Sequence, residues 1–339
     1  MPDFILSMRA PDGSGPAQKA RYLRYDEATA KELAQKDWVA QLTAGFPKEV
    51  DPTKGPVRTG EILFLVHGFN QDQNAALALH REIQEQLSAL GWNGALISYD
   101  WYSDGLVFAY LDDRAHARAA ASELVSAGIA LLEDQQSRDC PFTVHVLTHS
   151  MGAFVLQQAF AWSYQDVPAG WKVGQIVMVA GDLDYTVLEA SNYSAKTFVQ
   201  HAARLTAYCS RYDKALAVSN AKRLDLAPRV GRVGLPADAP SMMCEVDCSA
   251  MFADHYRDIV DRLNPVKTHS FYFGERIFWQ DVVLTLAGGI DRDMIKTRAA
   301  VGPLANRFSL NLQPLADDEY ARELASASNV TGTARPSFG

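Results

Sequence analysis

Thr148-His149-Ser150-Met151-Gly152 stands between an apolar run that reads as a strand, Thr143 to Leu147, and a segment of helical period that starts at Ser150. A serine at such a strand-to-helix turn is held in a strained conformation that projects its hydroxyl clear of the backbone, a nucleophile elbow. The turn tolerates little bulk two residues to either side. Gly152 meets that demand and Ala153 keeps the next helical turn slim, whereas Thr148 stands where a glycine is usual. A serine that merely caps a helix is the competing reading. The strand before it and a second motif upstream favour the elbow.

That second motif, His67-Gly68-Phe69-Asn70, closes the apolar run Ile62 to Val66. In a strand-and-helix arrangement of this kind, the loop after the earlier strand offers one backbone N–H to a developing oxyanion, and the residue after the nucleophile offers the other. Those donors are expected from Phe69 and Met151. Gly68 lets the backbone approach a substrate closely, and Asn70 is expected to tie the loop through side-chain hydrogen bonds. His67 reads as a structural histidine, because a base here would lie on the wrong side of the serine.

Around these motifs, short apolar runs alternate with helical periods, the mark of a mostly parallel sheet with helices on both faces. After Ile62 to Val66 come a helix through Ala76, Leu79, Ile83, Leu87 and Leu90, a strand Ala95 to Tyr99 and an Ala-rich helix over 114–133. Beyond the elbow, strands are expected at Ile176 to Ala180, Leu205 to Cys209 and, last, Met243 to Asp247. Phe4 to Arg9 and Ala20 to Tyr25, separated by a turn-rich stretch, predict an antiparallel edge. These elements imply an α/β fold of about eight strands in one domain over 1–310, with its core at 61–290 and a tail at 311–339 loosely held from Ala325.

With 48% hydrophobic and 21% charged residues in 339, the composition is that of a globular protein with a sizeable core. A net charge of −8 argues against a nucleic-acid partner, which needs clustered Lys and Arg. No apolar run is long enough to span a bilayer and the N-terminus carries no leader pattern, so a cytoplasmic location is expected. Cys140, Cys209, Cys244 and Cys248 are too few and scattered for a disulfide framework. Cys244 and Cys248 lack a second ligand pair for zinc, and no phosphate loop or dinucleotide fingerprint is present, so neither metal nor cofactor is expected.

The His67-Gly68-Phe69-Asn70 loop, the His149-Ser150-Met151-Gly152 elbow, the later Ser210-Arg211-Tyr212-Asp213-Lys214-Ala215-Leu216 and the still later Thr268-His269-Ser270-Phe271-Tyr272 together resemble the α/β-hydrolase superfamily. Within it, the chain looks like the bacterial hydrolases grouped as a domain of unknown function, over roughly 61–273. The resemblance implies a chain order of nucleophile, then acid, then histidine. Ser150, Asp213 and His269 fit that order. Asp182 and Asp184, which follow a strand end, are rival acids, and His255 is a rival base. The resemblance implies that His269 takes and returns the serine proton while Asp213 orients the imidazole.

Ser98-Tyr99-Asp100-Trp101-Tyr102 ends the strand next to the oxyanion loop, so Tyr99, Trp101 and Tyr102 either meet an apolar substrate with a polar edge or simply pack. Tyr185 to Tyr193 are candidates for part of a cap. The implied activity is cleavage of a small-molecule carboxylic ester through an acyl-enzyme. A thioester, amide or polyester substrate, or a non-catalytic interaction module on the same fold, are the alternatives.

Overall fold

The computed structural model describes residues 2–27, 29–51, 55–69, 71–103, 110–134, 141–166, 171–222 and 227–329. Two compact units divide it, Met1–Val173 and Gly174–Gly339.

The first unit opens with strands β1 (Asp3–Arg9), β2 (Pro16–Asp26) and β3 (Thr29–Glu32), helix α1 (Gln35–Ala44) and a hairpin of β4 (Lys48–Asp51) and β5 (Gly55–Arg58). Strand and helix then alternate through β6 (Gly60–Val66), α2 (Gln73–Ala89), β7 (Ala95–Asp100), α3 (Tyr110–Glu123), a π-helical turn into α4 (Ala130–Asp134), β8 (Phe142–His149) and α5 (Gly152–Asp166). The sheet order is β8-β6-β7-β1-β2-β3. β8, β6, β7 and β1 run parallel, and β2 and β3 add antiparallel strands.

β6 reads Ile62-Leu63-Phe64-Leu65-Val66, with every side chain buried, as a parallel strand covered on both faces requires. The helices α2 and α5 follow β6 and β8 and supply Ile83, Leu87, Val155 and Phe160 to the core. Register does the positioning that matters for chemistry. Val66 pairs with Thr148 and with Tyr99, and Ser7 pairs with Asp100, so the carboxyl ends of β6, β8, β7 and β1 lie side by side. In open α/β sheets this is the end at which ligands bind.

The second unit contains β9 (Val173–Val179), α6 (Tyr193–His201), β10 (Ala202–Cys209), α7 (Lys214–Lys222), α8 (Val230–Val233), β11 (Met243–Asp247), α9 (Ser249–His255), α10 (Ile259–Leu263), α11 (Pro265–Ser270), α12 (Arg276–Ala287), β12 (Arg298–Ala300), β13 (Arg307–Leu310) and α13 (Asp317–Asn329). Its sheet order is β12-β13-β11-β10-β9, with β10, β11 and β13 parallel. Apolar α12, from Ile277 to Leu286, is buried along its length, and Asp281 within it is neutralised by an ion pair from Arg298 at 2.7 Å.

Alternating strands and helices around mostly parallel sheets make this an α/β fold. The antiparallel N-terminal edge is present, with β1 paired to β2 and a further strand, β3, beyond it. There are three departures from the sequence reading. The strand count exceeds eight. β11 is not the last strand; β12 and β13 are too short and polar to announce themselves by periodicity. The tail expected from Ala325 begins inside α13, whose Tyr320 and Ala327 are buried; residues 330–339 lie outside the described residues.

Among the described residues, no helix is long and apolar enough to cross a membrane. Cys209, Cys244 and Cys248 are free and buried, and burial pushes the thiols of Cys209 and Cys248 well up. Cys140 lies outside the described residues.

Candidate active site

In the first unit, β8 ends at His149 and α5 begins at Gly152, so two residues turn the chain. Ser150 adopts φ 54°, a left-handed conformation that a side chain makes unfavourable by about 1–3 kcal/mol. The neighbours enforce the bend. A methyl on Gly152 would approach Val66 O to 2.1 Å and His67 O to 2.8 Å, so any Cβ there would collide with the end of β6. A methyl on Gly68 would come within 2.9 Å of Ser150 Cβ, so the loop after β6 lies directly against the serine. Met151 and Thr148 are fully buried, and the hydroxyl oxygen of Thr148 is a buried polar atom lacking a hydrogen-bond partner.

The same loop is braced from β7 and β1. His67 Nδ1 lies 2.9 Å from Gly68 O and its Nε2 3.3 Å from Asp100 Oδ1. Trp101 donates its indole N–H to His67 O at 2.9 Å and stacks on the imidazole. Burial raises the Asp100 carboxyl, but bonding to His67 and the charge of Arg9 outweigh it and hold the group below the usual range. His67 is thus fully engaged within the first unit.

Tyr99 and Trp101 correct the expectation that they line a pocket mouth. Both are fully buried. Tyr99 donates its hydroxyl to Ala120 O, and Trp101 is committed to His67. A parallel strand covered on both faces leaves its aromatics no route outward. Tyr102 is partly exposed, with its ring edge on His116. Asn70 lies outside the described residues.

In the second unit, Asp213 follows the carboxyl end of β10 and begins α7. One carboxylate oxygen accepts the Leu216 N–H at 2.9 Å, and the other accepts His269 Nδ1–H at 2.6 Å. Its side chain is wholly inaccessible and that of His269 is 13% exposed. α11 delivers the histidine: Asn264 caps its start, Pro265 takes the first turn, and Thr268 Oγ1 accepts the Lys214 N–H, fastening α11 to α7. Burial pulls the His269 pKa down, but the Asp213 charge, the bond to it and, to a smaller extent, the Asp182 charge together raise it above the ordinary value.

The rival groups have other partners. Asp182 lies 3.3 Å from Arg229 Nε, and Asp184 pairs with the same buried guanidinium. A methyl on Gly231 would come within 2.2 Å of the Ala180 backbone, so α8 is pressed onto the segment that carries these acids. His255 Nδ1 lies 2.8 Å from Glu275, which also accepts the Tyr256 hydroxyl.

The structure therefore brings Gly68 against Ser150 in one unit and His269 against Asp213 in the other. Sequence reasoning missed Arg9, Asp100 and Ser103 beneath the loop. The only available signal was an ionisable residue closing each of two apolar runs, Phe4 to Met8 and Ala95 to Tyr99. Among the described residues, no group of His, Cys, Asp and Glu could hold a metal ion.

Residues 53–246, more than half of the chain, match the family model described as alpha/beta hydrolase of unknown function (DUF900). The chain belongs to that family. No curated protein matches. Among solved structures, lipase B of Aspergillus fumigatus is 12% identical, with 98% of this chain and 74% of that one covered and a TM-score of 0.37. An esterase of Pyrobaculum calidifontis is 11% identical over 71% of this chain and 89% of its own, with a TM-score of 0.32. Phospholipase PlaB of Legionella pneumophila is 16% identical over 61% and 42%, with a TM-score of 0.26. Scores this low do not bear on substrate.

Proposed function

We propose that this member of the family is a serine hydrolase that cleaves small-molecule carboxylic esters through Ser150, His269 and Asp213. The observation that supports it most directly is the left-handed φ of Ser150 at the junction of β8 and α5, held there by glycines on both sides of the bend. A serine serving only as a helix cap has ordinary extended dihedrals and needs no such strain. Strain at one hydroxyl, maintained by close packing, is a feature of sites where the hydroxyl reacts.

In the proposed reaction, Ser150 Oγ attacks the ester carbonyl as its proton passes to His269 Nε2. The carbonyl oxygen becomes an oxyanion and accepts from the N–H groups of Phe69 and Met151. Collapse breaks the C–O bond, the leaving alkoxide takes the proton from His269, and an acyl group remains on Ser150. Water repeats the sequence and frees the acid. Asp213 keeps Nδ1 as the donor and favours the imidazolium that forms, without taking a proton. Its second oxygen is held by the Leu216 amide, which supports this orienting role.

Labelling with a fluorophosphonate probe, followed by mass mapping, tests the proposal. Modification at Ser150, lost in Ser150→Ala together with hydrolysis of a short p-nitrophenyl ester, is expected. Modification elsewhere, or undiminished turnover by Ser150→Ala, removes Ser150 from the chemistry.

A further inference from the structure

Arg9 closes β1, well outside the 53–246 segment that matches the family. Its side chain is only 4% exposed. A buried guanidinium is unfavourable unless its donors are used, and a carboxylate alone would satisfy its charge. Arg9 does more than that. Nε donates to Asp100 Oδ1 at 2.8 Å, Nη2 donates to Gln71 O at 2.5 Å and to Trp101 O at 3.2 Å, and Nη1 donates to Ser103 O at 3.4 Å. The guanidinium thus joins the end of the loop after β6 to the chain leaving β7.

The start of that loop depends on the same carboxylate. Asp100 Oδ1 receives both Arg9 and His67 Nε2, while its Oδ2 accepts the Ser7 hydroxyl at 3.0 Å. At the far end, Gln71 donates its N–H to Ser103 Oγ at 3.0 Å. His67 and Gln71 are therefore anchored to one Arg–Asp pair, with Phe69 between them. A donor to an oxyanion must be held to about 0.5 Å, and a misplacement of about 1 Å costs on the order of 100-fold in rate.

We propose that Arg9 is a positioning residue for the oxyanion loop, fixing the Phe69 amide through Gln71 O and through the Asp100–His67 contact. The proposal rests on the serine-hydrolase reading for its catalytic consequence, while the tether itself is a property of the loop.

Arg9→Lys in the full chain retains a cation for Asp100 and removes the fork. Turnover of a p-nitrophenyl ester is measured beside that of the matching O-aryl thionoester, whose C=S accepts hydrogen bonds poorly. The expected kcat loss on the oxo ester is roughly 10- to 100-fold with KM within about threefold, and the thiono ester loses less, so the oxo/thiono ratio falls. Equal losses on both substrates would reduce Arg9 to a stability role and overturn the proposal. Hydrogen exchange of a peptide spanning 66–71 is read in parallel. Faster exchange confined to it supports the tether, and unchanged protection overturns it even if the wild type proves inactive, an outcome that sinks the hydrolase reading separately. Should Arg9→Lys not fold, Arg9→Gln keeps an amide donor for Asp100 and removes the reach to Gln71 O. A fall in the same ratio, or in protection where there is no turnover, is then expected, and no change in either overturns the proposal.

Discussion

His269 Nδ1 and Asp213 Oδ2 lie 2.6 Å apart, with the carboxylate wholly shielded from water and its other oxygen bound to the Leu216 amide. The carboxylate is fixed at both oxygens, so the imidazole it binds has one tautomer and one orientation.

Replacing Asp213 with Asn removes the charge, and an amide whose oxygen keeps the Leu216 N–H presents its NH2 group to Nδ1, favouring the wrong tautomer. Asp213→Asn is expected to lower kcat for a p-nitrophenyl ester by about 10³-fold or more with little change in KM. A nearly normal rate in this variant, with a large loss in Asp182→Asn, would transfer the acid role to Asp182.

The pH dependence has a definite sign. His269 must be neutral to take a proton, and its pKa stands above the ordinary 6.5. kcat/KM should therefore rise with pH through a midpoint above 6.5, and Asp213→Asn should move that midpoint downward. Asp182→Asn should move it the same way by less, because its charge ranks behind both contributions from Asp213. The stability contribution of the pair runs opposite to activity. It is fully present below the unfolded histidine's pKa of about 6.5 and is lost as pH rises through the raised folded value. A midpoint below 6.5 in the wild type would contradict the assignment.

Strain at Ser150 predicts that function and stability part company. Ser150→Gly relieves the left-handed conformation and is expected to stabilise the fold by up to about 1 kcal/mol while abolishing turnover. Chemical denaturation with the wild type as reference measures this. Destabilisation by Ser150→Gly would show that the bend is not strained.

The two glycines of the bend should respond differently to a methyl group. Gly152→Ala forces a Cβ onto the Val66 carbonyl and is expected to destabilise by about 2 kcal/mol or more. A methyl on Gly68 meets Ser150 Cβ at 2.9 Å and His149 O at 3.3 Å, longer contacts than the 2.1 Å collision at Gly152, so Gly68→Ala should lose less stability than Gly152→Ala while turnover falls. Thermal melts paired with rates separate the two outcomes. Equal melting temperatures for wild type and Gly152→Ala would refute the predicted collision.

Much of the fold and half of the candidate site were legible in the chain itself. Runs such as Ile62 to Val66, with every position apolar, and helices such as α2, with Ile83 and Leu87 on one face, advertise their structure because burial acts on a period of a few residues. The bend at Ser150 was legible for the same reason, since steric demands at 150 and 152 are local. The short strands β12 and β13 were not, because three or four half-polar residues carry no period and owe their state to a neighbouring strand.

Tertiary structure decided between carboxylates that chain order had left as rivals. Asp182 and Asp213 both follow strand ends in the sequence, and only packing gave Arg229 to one and His269 to the other. It also buried Tyr99 and Trp101 and placed Arg9 beneath a loop some sixty residues further along the chain. Ion pairs and hydrogen bonds between distant segments leave no periodic trace, because each depends on one register and one crossing rather than on the spacing of residues along the chain.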